Sequence, residues 1–170
     1  MSVSMYDFSI PLLIRGLTTM SAILDKAAAQ ATTKKYDSLV LAQSRLFPDM
    51  FPLSRQVQIA CDTAKGAAAR LAGTENPKHE DNEVTFADLK ARIAKTVDFL
   101  QSVKAAQLDN AESRAIELKF PDGVAKFTGI SYLTGFVLPN FYFHTSMVYA
   151  LLRKSGIEVG KNDFLGPKPA

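Results

Sequence analysis

The sequence has one cysteine, two histidines and no tryptophan. Because Cys61 has no partner in the chain, an intramolecular disulfide is excluded, and a reducing, cytoplasmic location is expected. The chain also lacks a large excess of one charge, since 20 Lys plus Arg and 17 Asp plus Glu give a formal net charge of +3. The basic residues are scattered along the sequence. A nucleic-acid partner is therefore not expected, because such proteins concentrate basic residues on one face.

The motifs of the common catalytic classes are missing. The sequence has no glycine-rich phosphate loop, no Gly-x-Ser-x-Gly elbow, no Cys-x-x-Cys pair and no His-Glu-x-x-His pattern. Its first residues lack the basic start and the cleavage site of a signal peptide. With 170 residues, 47% of them hydrophobic and 22% charged, the composition predicts a single domain over residues 1–170. Any active site has to be sought among buried polar residues.

One stretch, residues 127–152, has no Asp, Glu, Lys or Arg and is long enough to cross a bilayer. Its middle carries Pro139, Asn140 and His144, which are costly in lipid. A helix buried on all sides by protein has the same hydrophobic appearance. We therefore expect a buried helix and no membrane partner.

Hydrophobic residues recur at three- and four-residue steps in four long segments, which predicts four amphipathic helices. Near Ile116 hydrophobic and charged residues begin to alternate, and the turn Pro121-Asp122-Gly123 follows. This pattern predicts a β-hairpin before the last helix. Together these elements predict an all-α four-helix bundle with a small hairpin. The predicted long helices span residues 9–30, 52–73, 85–103 and 130–154; a short helix is predicted over 37–46 and an extended tail over 159–170.

The last predicted helix carries the densest polar group. Positions four apart share a helical face, so Asn140 and His144 point the same way, while Pro139 leaves a carbonyl one turn earlier without its donor. Two interpretations are open. Either His144 bonds a backbone carbonyl and Asn140 fills the gap left by Pro139, or both line a pocket in the bundle centre.

The second long helix offers matching polar residues at the borders of its hydrophobic stripe. Gln58, with Asp62 one turn further on, lies at one edge, and Gln56 lies at the opposite edge as the alternative. Cys61 is expected to be an inert core residue. His79, beside two acidic residues in a polar loop, is expected to be solvated.

Several segments of the chain resemble family nineteen ninety-three of the domains of unknown function. The segments that carry the resemblance are 49–53 (DMFPL), 56–58 (QVQ), 138–144 (LPNFYFH), 149–153 (YALLR) and 160–166 (GKNDFLG). That family is grouped with the DinB/YfiT-like four-helix bundles, whose better known members are metal-dependent hydrolases and thiol transferases with three histidine ligands. The resemblance therefore implies a DinB/YfiT-like bundle.

The resemblance also implies where the metal ligands of such relatives would fall. Their first histidine lies on the second helix, and the other two lie four apart on the fourth helix. His144 matches the last ligand, whereas Asn140 stands at the middle position and Gln58 near the first. Amide oxygens are weak ligands for zinc or nickel, so these three residues predict no metal cofactor.

The leading hypothesis is thus a bundle protein without the histidine triad that binds a small ligand in a polar pocket. Gln58, Asn140 and His144 would form this pocket, and Asp62 and Tyr142 are further candidate ligand-binding residues. The alternative is a metal-dependent hydrolase or thiol transferase in which His144 binds zinc or nickel and Asp62 or Asp49 supplies an oxygen ligand. A third hypothesis is a homodimer formed through the aromatic residues of the last helix.

Overall fold

Helices make up most of the chain in a computed structural model that describes residues 4–168, and four of these helices are long. Helices α4 and α6 each pack against both α1 and α3, whereas α1 and α3 make little contact with each other. The elements are α1 Ile10–Lys34, α2 Ser38–Ala42, α3 Leu53–Ala72, α4 Phe86–Ser102, 3-10 turns at Ala105–Leu108 and Ala111–Ser113, β1 Ala115–Phe120, β2 Gly123–Thr128, α5 Gly129–Tyr132, a π-helical turn at Leu133–Val137, α6 Leu138–Lys154 and α7 Lys161–Leu165.

Local signals in the sequence set three helix ends within a residue of the predicted bounds, whereas α1 ends at Lys34, four residues beyond its bound, and α2 ends at Ala42, four residues short of its bound. Asp37 accepts a hydrogen bond from the Leu39 backbone N–H and begins α2. At the start of α4, Thr85 and Asp88 form a reciprocal capping box. Gly73 ends α3 in the left-handed conformation, at φ 69°, which favours glycine.

The core lies between the four long helices. The stripe of α1 is fully buried, and α3 contributes a row of alanines and Cys61 with no exposed surface. Because small side chains let helices approach closely, α3 can contact α4 and α6 at once. Cys61 is a core residue, as expected, and burial raises the pKa of its thiol to about 12.

The predicted hairpin is confirmed. Strand β1 pairs antiparallel with β2, with Ile116 opposite Phe127 and Phe120 opposite Gly123. Ile116 and Leu118 turn toward the core, while the intervening residues are exposed. A two-stranded sheet is marginal by itself, so its stability depends on this contact with the helices.

The expectation of a helix over residues 130–154, bent at Pro139 and buried on all sides, is wrong in one respect. The segment is helical, and a π-helical turn interrupts it just before Pro139, whose missing N–H disturbs the regular bonding pattern. It is amphipathic, however, and not buried on all sides, since Ile130, Tyr142 and Phe143 are exposed. The exposed face of this segment carries aromatic and hydroxyl side chains in place of charged ones. The absence of charged residues therefore did not indicate burial on all sides.

The predicted extended tail is also wrong in part. Residues Lys161–Leu165 form the short helix α7, which packs on α1. Asp163 accepts a hydrogen bond from the Gly160 backbone N–H and so supports its first turn. The ring of Phe164 lies 6.0 Å from that of Tyr149, which joins α7 to α6.

Within residues 4–168, no helix has the length and hydrophobicity needed to span a bilayer.

Candidate functional site

His144 is buried, as predicted, with 7% of its surface exposed. Its partner is the side chain of Gln56 on α3, because the Nδ1 atom lies 2.6 Å from Gln56 Oε1. Gln56 in turn donates from Nε2 to the Phe51 carbonyl oxygen at 3.1 Å. The imidazole is thus held by a side-chain amide, and not by the backbone carbonyl that the first interpretation assumed.

This chain of hydrogen bonds fixes which nitrogen of His144 carries the proton. The Phe51 carbonyl can only accept, so it orients the Gln56 amide with its NH₂ toward Phe51 and its oxygen toward His144. The neutral imidazole must then carry its proton on Nδ1 and leave Nε2 with a free lone pair. Such a nitrogen can accept a hydrogen bond or a proton from a ligand.

Both histidines prefer the neutral form in the folded protein. Burial lowers the pKa of His144 below 6.5, and the nearby Arg55 charge lowers it further. Burial also lowers the pKa of His79, together with the charges of Lys65, Arg92 and Lys95. His79 is therefore not the solvated loop residue that we expected, since both its ring nitrogens are shielded and unpaired within residues 4–168.

We expect the two imidazole resonances in a proton NMR titration to have midpoints below pH 6.5. Each imidazole contributes fully to the free energy of unfolding above the pKa that it has in the unfolded chain. This contribution is lost as the pH falls through its pKa in the folded protein, because the unfolded chain binds the proton more tightly. Long-range proton–nitrogen spectra should show the Nδ1–H tautomer for His144.

The Arg55→Gln variant is the control for this titration. Arg55 lowers the pKa of His144 but is not among the groups that shift His79. The variant should therefore raise the midpoint of His144 and leave that of His79 in place. A midpoint for His144 above 6.5 in the unaltered protein would contradict the burial described here.

Asn140 lies one turn before His144 on the same face of α6, as predicted. Its Nδ2 donates to the Thr63 hydroxyl of α3 at 2.8 Å. Its partner is thus a neighbouring helix, and it does not fill the gap left by Pro139. Within residues 4–168 its Oδ1 has no hydrogen-bond partner and remains available as an acceptor.

Asn140 borders an open groove of about 520 Å³ between α3, the start of the last helical segment and the hairpin, which we call the hairpin groove. Asp62 and Arg70 of α3 also line it, and Arg70 Nη1 donates to the Tyr132 hydroxyl at 3.1 Å. Tyr132 and Phe136 form an aromatic wall, their rings stacked at 5.9 Å. The groove thus combines acceptors, two cations, Arg70 and Lys119, and an apolar surface.

Gln58 does not meet His144 or Asn140. Its Nε2 donates to Glu83 Oε2 at 2.9 Å, and its Oε1 accepts from Arg55 at 3.0 Å. Gln58 and Gln56 are two positions apart and so lie on nearly opposite sides of α3, with Gln56 toward α6. The predicted pocket of Gln58, Asn140 and His144 is therefore not formed, and Gln56 takes the place given to Gln58.

Gln58 belongs instead to a group of charged residues around Arg92, which we call the Arg92 cluster. The Arg92 side chain is 2% exposed. Its Nη2 donates to Asp62 Oδ1 at 2.8 Å, and its Nη1 donates to Glu83 Oε1 at 2.9 Å. Asp81 lies 3.0 Å away. The cluster fastens the loop between α3 and α4, so Asp62 is both a structural ion-pair partner and a groove residue.

Tyr142 lies apart from the other candidate residues. It is 40% exposed and lines a cavity between α1, α6 and α7. Two positions separate Tyr142 from Asn140 and from His144, so its side chain leaves α6 on a different face. It therefore cannot share a pocket with them.

The residues present do not fit a metal ion of the kind that the resemblance implies. Among residues 4–168, no three His, Cys, Asp or Glu side chains come together as ligands. Asp49 is exposed, and Asp62 is engaged by Arg92 and Lys65. Of the candidate ligands, His144 alone offers an imidazole nitrogen, and one imidazole with amide neighbours is a poor zinc or nickel site.

Sequence reasoning missed Arg70, Thr63 and Arg92. Arg92 had a usable signal, because it occupies a position within the stripe of α4, three residues after Leu89. A charged residue on a buried face predicts an ion-pair partner. For Arg70 and Thr63 no local pattern distinguishes a groove residue from a solvated border residue.

The chain is a mostly helical protein with a hairpin between its third and fourth long helices. It belongs to the family described as Domain of unknown function (DUF1993), which matches residues 5–165. It is similar to the crystal structure of a DinB family member protein from Shewanella denitrificans, with 43% sequence identity over 97% of this chain and 93% of that chain and a TM-score of 0.90. No curated protein matches the chain.

Proposed function

We propose that this chain is a DinB/YfiT-like four-helix bundle that binds a small zwitterionic molecule in the hairpin groove without a metal. The mutual packing of α1, α3, α4 and α6 supports the bundle, as does the similarity to a DinB family member protein. The single observation that carries the binding function is the convergence of Asp62, Arg70 and Asn140 on one groove.

The charges of the groove favour a ligand with groups of both signs. Among residues 4–168, Arg92 and Lys65 engage Oδ1 of Asp62 and no side chain engages its Oδ2, which is available to an ammonium group beside Oδ1 of Asn140. Arg70 uses one Nη1 hydrogen bond on Tyr132 and retains donors for a carboxylate. The partly exposed Phe136 ring, which is backed by the buried Tyr132 ring, offers contact area to a planar side chain. A free amino acid with an aromatic side chain has this combination of groups.

The test compares three probes that share one aromatic ring. Phenylalanine carries both charges, whereas 3-phenylpropionate and phenethylamine each carry one. Calorimetry on chelator-treated protein should show binding of phenylalanine and weaker binding of both analogues. The Asn140→Leu variant should weaken phenylalanine binding at least about tenfold through loss of one hydrogen bond to a charged group.

A matched substitution controls for general effects of the variant. Asn82 is exposed on the loop between α3 and α4 and does not line the groove, so Asn82→Leu should leave phenylalanine binding unchanged. Equal affinity for all three probes would refute the zwitterion proposal, as would equal effects of the two Asn→Leu variants.

The alternative, a metal-dependent hydrolase or thiol transferase, is favoured by one observation. The bond from Nδ1 to Gln56 leaves His144 Nε2 free, as in histidine ligands oriented by a second hydrogen bond. Elemental analysis of untagged protein purified without chelator separates the two proposals. Zinc or nickel at close to one ion per chain, lost in His144→Ala, would support the alternative and oppose ours.

A further inference from the structure

A second cavity, of about 280 Å³, lies between α1, α6 and α7 and shares no residue with the hairpin groove. Its walls include Leu12, Met20 and Ile23 of α1, together with Phe164 and Leu165 of α7. We call it the α7 cavity. Its volume is close to the lower end of small-molecule sites, roughly 300–1,000 Å³, and well above the ~30 Å³ occupied by one water.

The hydroxyl groups in this cavity are already satisfied by their own helices. Thr19 Oγ1 donates to the Gly16 carbonyl oxygen at 3.0 Å, and Thr145 Oγ1 donates to the Phe141 carbonyl oxygen at 3.1 Å. These donors are not available to a ligand or to water. The interior therefore behaves as an apolar space, which holds water poorly and favours a hydrocarbon group.

The border of the cavity has the opposite character, because Arg15 lies there and is exposed. Its Nε and Nη2 donate to the Leu165 carbonyl oxygen at 3.1 and 2.8 Å. Within residues 4–168 its Nη1 makes no hydrogen bond, and none of the lining residues is acidic. Tyr142, which is partly exposed, adds a hydroxyl group. The border thus presents a positive charge and donors.

Helix α7, which covers one side of the cavity, is fastened at several points. Lys26 Nζ lies 2.6 Å from Asp163 Oδ1, and Arg15 Nη2 also donates to the Pro167 carbonyl oxygen at 3.2 Å. The Phe164 ring packs edge-on against Tyr149. The cavity is therefore part of the folded structure and does not require a ligand to form.

We propose that the α7 cavity binds a medium-chain monocarboxylate, with its hydrocarbon chain against the apolar walls and its carboxylate on Arg15. Guanidinium groups bind carboxylates through charge-assisted hydrogen bonds, and an apolar chain gains free energy by leaving water. A neutral amphiphile of the same length would gain only the second contribution. The site is independent of the hairpin groove and of the function proposed for it.

The experiment measures octanoate and 1-octanol binding to the full chain by calorimetry. Octanoate should bind with a dissociation constant below about 1 mM, and more tightly than octanol. Arg15→Gln should weaken octanoate binding about tenfold and octanol binding much less, since the carboxylate loses its partner while the Lys26–Asp163 ion pair and the Phe164–Tyr149 contact still hold α7 in place. Leu12→Trp, which fills the cavity from a half-buried position, should abolish binding of both probes.

Two controls make the result decisive. Lys26→Met removes a positive charge and a fastening of α7 away from the cavity border, so it should leave octanoate binding unchanged if the Arg15 charge is what matters. Circular dichroism establishes folding, and Leu165→Trp replaces Leu12→Trp if that variant unfolds.

The proposal is overturned if octanoate does not bind, if Arg15→Gln weakens both probes equally, or if Lys26→Met reproduces the effect of Arg15→Gln. Phenylalanine binding should be the same in Arg15→Gln, so the two proposals can fail separately.

Discussion

Replacing Arg92 by methionine is expected to lower the free energy of unfolding by about 3 kcal/mol. The Arg92 side chain is almost fully buried and pairs with Glu83, whose side chain is only 9% exposed. Methionine fills much of the space but leaves the Glu83 carboxylate without its cation. Removing one partner of a buried ion pair costs about 3–5 kcal/mol. We take the lower end because the other two partners of Arg92, Asp62 and Asp81, are partly exposed. Urea unfolding of both proteins measures the difference.

The Arg55→Met variant is the matched control for Arg92→Met. Arg55 also pairs with Asp81, at 2.5 Å, but both side chains are more than a third exposed. Exposed ion pairs contribute roughly 0–1 kcal/mol, so this variant should lose little stability. If the two variants lose equal amounts, burial of Arg92 is not what makes its ion pairs important.

The same cluster predicts an acid-sensitive stability. Burial alone would raise the pKa of Glu83, but hydrogen bonds from Arg92 and Gln58 outweigh it and hold the pKa below 4.5. The unfolded chain therefore takes up the proton more readily than the folded one. This stability is fully present above the unfolded pKa and is lost as the pH falls through the folded pKa. In Arg92→Met the stability should depend less on pH below about 4.5.

The Gly129→Ala variant is expected to lose about 3 kcal/mol of stability, or to fail to fold. Gly129 is buried at the start of α5, and a Cβ atom there would lie 1.8 Å from the carbonyl oxygen of Ala111. Backbone atoms cannot move aside as the end of a flexible side chain can. The 3-10 turn that contains Ala111 would have to separate from α5, and the hairpin that leads into α5 would move with it. Thermal unfolding measures the loss.

Gly135 provides the control for this substitution. It lies in the π-helical turn, and a Cβ atom there would meet nothing within 4 Å. Because alanine favours helical conformations over glycine by up to about 1 kcal/mol, Gly135→Ala should be neutral or slightly stabilising. A stable Gly129→Ala protein with an unchanged hairpin would show that the close approach to Ala111 is not required.

The parts of the fold that the sequence predicted are those governed by local interactions. The capping box of Thr85 with Asp88, the left-handed Gly73 and the hairpin turn each depend on residues close together in the chain. The short helix α7 depends instead on contacts with α1, more than a hundred residues earlier. Its one local signal, Asp163 three positions after Gly160, is too weak by itself to predict a helix of five residues.

The candidate site was predicted only in part, for a related reason. His144 and Asn140 were placed correctly on one face of the last helix, because helical spacing alone decides that. The choice between Gln56 and Gln58 required knowledge of which side of α3 faces α6. Helix α3 is covered by α6 on one side and by α4 and the Arg92 cluster on the other, so both glutamines are buried. A helix with two covered sides gives no hydrophobic contrast from which to choose.

The order of the helices also has a consequence for folding during synthesis. Helix α1 packs on α4, α6 and α7, of which α6 and α7 come from the last third of the chain. At roughly 5–20 residues per second, α6 leaves the ribosome on the order of ten seconds after α1. Throughout that interval the apolar stripe of α1 is incompletely covered. The nascent chain should therefore be a substrate for chaperones until its C-terminal helices emerge.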